Sequence, residues 1–214
     1  MVTSIKDVQS IQGQDIGDQL LILPGIHHWQ AYVSMQVWAS DIPGLRISYL
    51  DGIVELMTTS KLHERIKKFI AILLELYFFE ARIRFFPSGN ATCEAEAKGA
   101  SFAPDESYCF DEDKDYPDLA VEVVLTSGDV DKLEKYKRFR VGEVWFWKQE
   151  RITVYVLRIR DSDRSSPEND QQLFYEKVSQ SEALSNLDLA LLERCVGLAD
   201  IFEARTVFLK GLQK

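Results

Sequence analysis

Pro117-Asp118-Leu119-Ala120-Val121-Glu122-Val123-Val124-Leu125-Thr126-Ser127 has the length and β-branched content of a buried strand. Strand alternation puts Leu119, Val121, Val123 and Leu125 on one face. Asp118, Ala120, Glu122 and Val124 fall on the other. Glu122 therefore stands in the middle of an apolar run. A carboxylate in such a place costs several kcal/mol unless it is paired, protonated or bound to a metal. What meets Glu122 is the first functional question the sequence raises.

The segments on either side suggest partners. Downstream, Asp129 to Arg140 is expected as a helix with Leu133, Tyr136, Lys137 and Arg140 on one face, and Lys132 stands one turn in. A strand–turn–helix connection places that first turn just beyond the strand's C-terminal end, so Lys132 can reach back towards Glu122. Upstream, Pro104-Asp105 opens a short strand with Ser107 and Cys109 on the side of Asp105. Two converging carboxylates suit a hard divalent cation such as Mg2+, which takes oxygen ligands and keeps several waters. A lysine beside them can orient or help deprotonate an attacking water, or stabilise negative charge in the transition state. Together these are the parts needed to hydrolyse a phosphodiester. The same residues also admit a plain structural ion pair between Glu122 and Lys132.

Composition bounds the alternatives. The 214 residues, 46% hydrophobic and 28% charged, fit one domain able to bury a core. Residues 1–25 read as a polar lead-in and 26–214 as a single domain. A net charge of −9 argues against broad, non-specific nucleic-acid binding, while leaving room for a local basic patch. No apolar run reaches membrane-spanning length, and the N-terminus lacks the order of a signal peptide. Cys93, Cys109 and Cys195 are odd in number and far apart, which indicates neither a disulfide framework nor a zinc knuckle. A cytoplasmic protein is expected.

Taken in order, Ile26 to Ala39 is expected as an amphipathic helix carrying Trp29, Tyr32, Val33, Val37 and Trp38. His27 and His28 open it, but neighbours on a helix point about 100° apart and make poor joint ligands. Leu45–Leu50 and Ile53–Thr58 form a hairpin around Asp51-Gly52. Glu55 lies inside the second strand, between Val54 and Leu56, and on alternation reads as the exposed face of an edge strand. Ser60 caps a long helix over Leu62–Ile83. Its first turn holds His63 and Glu64, and Glu64 can pair with Lys67 or Lys68 in a solvated turn. Ile83–Cys93 is expected as a strand with a turn at Pro87-Ser88-Gly89-Asn90. Val144–Trp147, Ile152–Leu157 and Leu173–Val178 add further strands, residues 160–171 a polar loop, and Leu187–Leu209 a closing helix. Trp145 and Trp147 read as core. This order predicts a mixed α/β domain with one central sheet.

Several of these motifs together look familiar: Tyr49-Leu50-Asp51-Gly52, Glu55-Leu56-Met57, His63-Glu64, Pro104-Asp105, Pro117 to Val123, Asp131-Lys132, Tyr136, Val141 and Glu143-Val144-Trp145. Their order and spacing resemble the Uma-two family, bacterial proteins classed with restriction endonucleases in the PD-(D/E)XK nuclease superfamily. The resemblance covers roughly residues 25 to 205. It implies a restriction-endonuclease-like core, a central mixed β-sheet flanked by helices, and a Mg2+- or Mn2+-dependent phosphodiesterase site acting on DNA. Asp105 resembles the aspartate of the Pro-Asp motif, and Glu122 the acid of the (D/E)-x-K motif. The lysine expected two residues later is Val124 here, and Lys132 stands where the family places a lysine in the next helix. Glu64, or else Glu55, resembles an additional acid ahead of the core motif. His63 matches a histidine at the start of that helix. Gly142 stands where the family tends to have proline.

The expected site is therefore Asp105, Glu122, Lys132 and Glu64, with Asp105, Glu122 and Glu64 as metal ligands. His63, Glu55 and Asp118 are possible accessories, although Asp118 fits equally well at the strand entrance, bonded to backbone. Lys135, Lys137, Arg138 and Arg140 form either a solvated helix face or phosphate contacts. A homodimer would suit cutting both strands of a duplex. Two other readings remain open. One is a non-catalytic nuclease-fold binding or assembly module, favoured by the acidic charge and by Val124. The other is a carboxylate-pair glycosidase, which needs a fixed carboxyl separation and a sugar-stacking cleft.

Overall fold

The computed structural model describes residues 17–125, 130–160 and 173–213. The first sixteen residues of the expected lead-in, Thr126 to Asp129, and residues 161–171 of the expected polar loop lie outside them. Strands β7 (Glu106–Phe110), β8 (Leu119–Val123), β9 (Glu143–Lys148) and β10 (Arg151–Ile159) are the body of a six-stranded sheet. Strand β4 (Phe85–Pro87) and strand β11 (Leu173–Val178) close its two edges. β8 and β9 run parallel, while every other pair in the sheet is antiparallel. Parallel neighbours need a crossover, and helix α3 (Val130–Arg138) lies in it.

Both faces of β8 are covered, which explains why its sequence is apolar on both faces except at Glu122. Leu119, Val121 and Val123 pack with Trp145 and Trp147 under helix α2 (Lys61–Ala81). Helices α4 (Leu189–Val196) and α5 (Ile201–Leu212) complete that layer through Leu191, Leu192, Ala204 and Phe208. On the opposite face Ala120 and Val124 meet Val144, Phe146 and, from the α3 side, Tyr136 and Phe139. The two tryptophans are core residues, as expected from their period-two spacing.

The expected mixed α/β class is borne out, with one correction: the strands divide between two sheets. The second is wholly antiparallel, in the order β1 (Gln19–Ile22), β3 (Ile53–Thr58), β2 (Leu45–Leu50), β6 (Ala100–Phe102), β5 (Cys93–Ala95). The expected hairpin is present. Its turn uses positive φ at both Asp51 (47°) and Gly52 (92°), as a two-residue turn matched to strand twist requires. Helix α1 (Trp29–Ser40) packs against β2.

Four further expectations change. The strand expected over Ile83–Cys93 is cut by its Pro-Ser-Gly-Asn turn, which sends β4 to one sheet and β5 to the other. Glu55 is not on an edge strand, because β1, drawn from the lead-in, pairs with β3 on its outer side. The closing helix is two helices, broken at Gly197, with Asp200 capping the second by accepting from Glu203 N. Helix α1 lacks a single apolar stripe: Tyr32 is buried, whereas Val37 and Trp38 are exposed. None of the helices described is long and apolar enough to cross a membrane.

Candidate active site

Register brings the two principal acids together. Glu106 pairs with Val121 across β7 and β8, so one step further Asp105 faces Glu122. Asp105 is tied there by its own carboxylate, whose Oδ2 accepts from Val123 N at 2.8 Å. Both acids are buried, Glu122 at 3% exposure.

Glu122 is met by helix α3. Lys132 and Tyr136 are four residues apart and so project from one face of the helix. They take opposite oxygens of the same carboxylate: Lys132 Nζ donates to Oε2 at 2.6 Å, and the Tyr136 hydroxyl donates to Oε1. Lys135, on the same face, turns instead to the second sheet, where it pairs with Glu55 and donates to Ser48 Oγ at 2.7 Å. Ser48 and Glu55 sit opposite each other in the β2–β3 register and are bonded at 2.8 Å. Lys135 is therefore buried, and the solvated-face reading of this helix fails at that position. Lys137 pairs with Glu134, and Arg138 with Asp51, Glu134 and the carbonyl of Lys98, so both have internal partners.

Asp105 collects a separate set of partners. Arg46 of β2 donates from NH1 to Asp105 Oδ1 at 2.5 Å. His63 Nε2 lies 3.0 Å from the same oxygen, an ion pair whenever the imidazole is protonated. On its far side His63 Nδ1 meets Asp18 Oδ2 at 2.7 Å, while Asp18 Oδ1 accepts from Ser60 N at 2.8 Å. His63 thus points into the site and is not part of a solvated turn.

Glu64 points outward. Its side chain is 42% exposed, and it pairs with Lys67 at 2.5 Å, accepts from Thr59 Oγ1, and reaches Arg46 NH2 at 3.4 Å. The helix-turn pairing expected for Glu64 therefore forms, and its link to Asp105 runs through Arg46. Asp118 sits at the strand entrance, accepting from Phe110 N and pairing with Lys114. His27 and His28 take no part in this cluster.

Charge is distributed unevenly over the site. Burial works against ionised Asp105, but His63, Lys132 and Arg46 outweigh it and hold the carboxyl well below the usual range. Glu122 is pushed up, by burial first and by neighbouring Asp105, with Lys132 offsetting only part. Burial lowers the affinity of Lys132 for its proton, yet Glu122 and Asp105 more than compensate and the pKa rises. Lys132 meets Glu122 as a hydrogen-bond donor. His63 follows the same logic: burial opposes its charge, while Asp105 and then Asp18 raise its pKa.

The four oxygens of Asp105 and Glu122 face only donors, which is the environment a cation would share. Arg46 and Lys132, 19% and 22% exposed, are partly open to a cleft between the two sheets. Glu122, Ser48, Glu55 and Lys135 line that cleft, and Leu20 and Ile22 of β1 form its lip. Among the described residues no three His, Cys, Asp or Glu side chains form a ready ligand cluster. Two carboxylates completed by water and phosphate oxygens fit Mg2+ or Mn2+ in kind.

Arg46, Asp18, Ser48 and Tyr136 were not among the expected site residues. Tyr136 carried a signal, its i,i+4 spacing from Lys132. Arg46 and Ser48 reach the cluster from β2 and Asp18 from just ahead of β1, all distant in sequence, and carried none.

The model of the Uma2 family, described as "Putative restriction endonuclease", matches residues 29–192. No curated protein matches the chain.

Proposed function

The chain belongs to the Uma2 family, and from that premise we propose that it is a divalent-metal-dependent endonuclease hydrolysing phosphodiester bonds in DNA. One observation carries the reading: buried Glu122 faces Asp105 across two strands and is held by Lys132 at the wall of an open cleft. Asp105 and Glu122 would hold the cation, with Glu64 acting through water from beyond Arg46. Bound Mg2+ or Mn2+ supplies Lewis-acid polarisation of the phosphate and a more acidic water.

The remaining work falls to the chain. Lys132, a donor to Glu122 across the cleft wall, orients the attacking water and neutralises charge gathering on the phosphate oxygens. Tyr136 fixes the plane of the Glu122 carboxylate. His63, backed by Asp18, keeps Asp105 ionised and aimed. Val124, at the usual lysine position, packs into the core, and Lys132 approaches the same carboxylate from the helix instead.

The test is cleavage of plasmid and single-stranded DNA with Mg2+ or Mn2+ by wild type, Asp105→Ala, Glu122→Ala and Lys132→Ala. Metal-dependent cutting abolished in all three is the expected result, and chelation should stop the wild type. Full activity in Glu122→Ala would overturn the assignment. The second reading, a non-catalytic binding module, draws on Val124 and on the internal pairing of both acids. It is preferred if folded wild-type protein cuts neither substrate and binds no Mn2+.

A further inference from the structure

Arg46 is the site cation whose departure leaves its partner best satisfied. If Lys132 withdrew, Glu122 would keep only Tyr136. If Lys135 withdrew, Glu55 would keep only Ser48. Were Arg46 to leave, Asp105 would still hold the Val123 amide at 2.8 Å and His63 at 3.0 Å. The guanidinium is also not locked. An arginine fork binds one carboxylate most tightly with two parallel bonds. Here the fork is split, NH1 to Asp105 and NH2 to Glu64 at 3.4 Å. The Glu64 end faces solvent, so Arg46 already spans from the buried acid to the mouth of the cleft.

We propose that Arg46 is a displaceable internal cation that yields its place beside Asp105 to a divalent ion and then binds a phosphate of the DNA. The inference rests on the endonuclease reading above. Two positive charges added beside Asp105 and Glu122 would repel the nearest movable cation, because charges interact strongly where water is excluded. Arg46 swings outward over Glu64 and presents five donors to the backbone of the substrate. Substrate phosphate then stabilises the released guanidinium, so DNA and metal each favour binding of the other. Arg46 thus lowers metal affinity in the free protein and supports it in the complex.

Mn2+ titration by calorimetry on wild type, Arg46→Ala and Arg46→Gln tests this without any turnover. Thermal melts establish that each variant is folded, and Arg46→Gln keeps polar contacts if the alanine form is unstable. Without DNA, both variants should bind Mn2+ about threefold or more tighter, the gain from removing a partly buried competing ion pair. With Mn2+ present, their affinity for a phosphorothioate duplex that resists cleavage should fall, and the salt slope of binding should drop by about 1. Wild type binding Mn2+ while both variants bind it equally or more weakly would overturn the displacement and leave the metal site standing. Tighter Mn2+ binding with an unchanged salt slope would overturn the phosphate role. Absence of Mn2+ binding in all three proteins would remove the metal site itself, and the proposal with it.

Discussion

Lys132 Nζ lies 2.6 Å from Glu122 Oε2, although ten residues separate the two and one sits on a strand while the other sits on a helix. A lysine two residues after Glu122 on the same strand would project from the same face of the sheet. Here that position is Val124, buried against Val144 and Phe146, and the ammonium arrives from α3. The pairing replaces a local arrangement with a tertiary one, and the predictions below depend on it.

Glu122→Gln keeps the shape of the side chain but removes its charge and replaces one of its two acceptor oxygens with a donor amide that must face Lys132 or Tyr136. Melting temperature should fall, because Lys132 loses its counter-ion. DNA cleavage should fall by about 100-fold or more, the scale for losing one group that stabilises reacting charge. Steady-state cleavage beside a thermal melt separates the two effects, and cutting at the wild-type rate would refute a role for the carboxylate.

Tyr136→Phe leaves Glu122 Oε1 buried without its donor. The expected cost is about 1–3 kcal/mol, that of an unsatisfied buried acceptor. Urea unfolding of the two proteins measures it. A difference near zero would mean that the hydroxyl does not hold the carboxylate.

Val124→Lys tests whether the strand position could take back the lysine. Val124 packs with Ala120, Phe146 and Tyr136, and an ammonium there would have to be desolvated beside Lys132. Loss of at least about 2 kcal/mol is expected, in line with burying an unpaired polar group. A variant as stable as wild type would show that the strand can host the lysine alongside α3.

Glu55 gives a stability contribution with a defined pH sign. Burial raises its pKa, but Lys135 and Ser48 outweigh this and hold it below 4.5. A depressed carboxyl stabilises the fold above its unfolded pKa and stops doing so as pH falls through the folded value. The stability gap between wild type and Glu55→Gln should therefore be constant near neutral pH and narrow as pH drops below 4.5. Denaturant unfolding over a pH series reads it, and a gap that is flat with pH would refute the pairing.

Gly211→Ala sets helix propensity against packing. Alanine is favoured over glycine by about 1 kcal/mol in a helix interior and by less at Gly211, the penultimate residue of α5. An added Cβ, however, would lie 2.4 Å from Leu191 Cδ2, 2.8 Å from Cδ1 and 3.2 Å from Cγ, so the whole buried leucine must move. Overpacking costs about 1–3 kcal/mol, and net destabilisation is expected in a thermal melt. A stabilised variant would show that α4 and α5 have slack between them.

Much of this molecule was readable in the chain itself, for a local reason. Alternation over Leu119–Val123 is a property of neighbouring residues, and it placed Glu122 on the face opposite Val121 and Val123 before any contact was known. The Asp51-Gly52 turn, the Ser60 cap and the stripe along α2 are likewise set by backbone preferences within a few residues. The reach of Lys132 back to Glu122 was legible because a strand-to-helix connection leaves little freedom in where the helix begins, whereas the facing of Asp105 and Glu122 came into view only with the antiparallel β7–β8 register. What only the tertiary structure decided is who shares the site with them. Arg46 reaches Asp105 across 59 residues of chain, and Lys135 reaches Ser48 across 87. Asp18, from a stretch that reads as polar lead-in, backs His63 because β1 pairs with β3. Such contacts come from one sheet packing against another, where the cost of burying charge is settled between elements and leaves no period in the sequence.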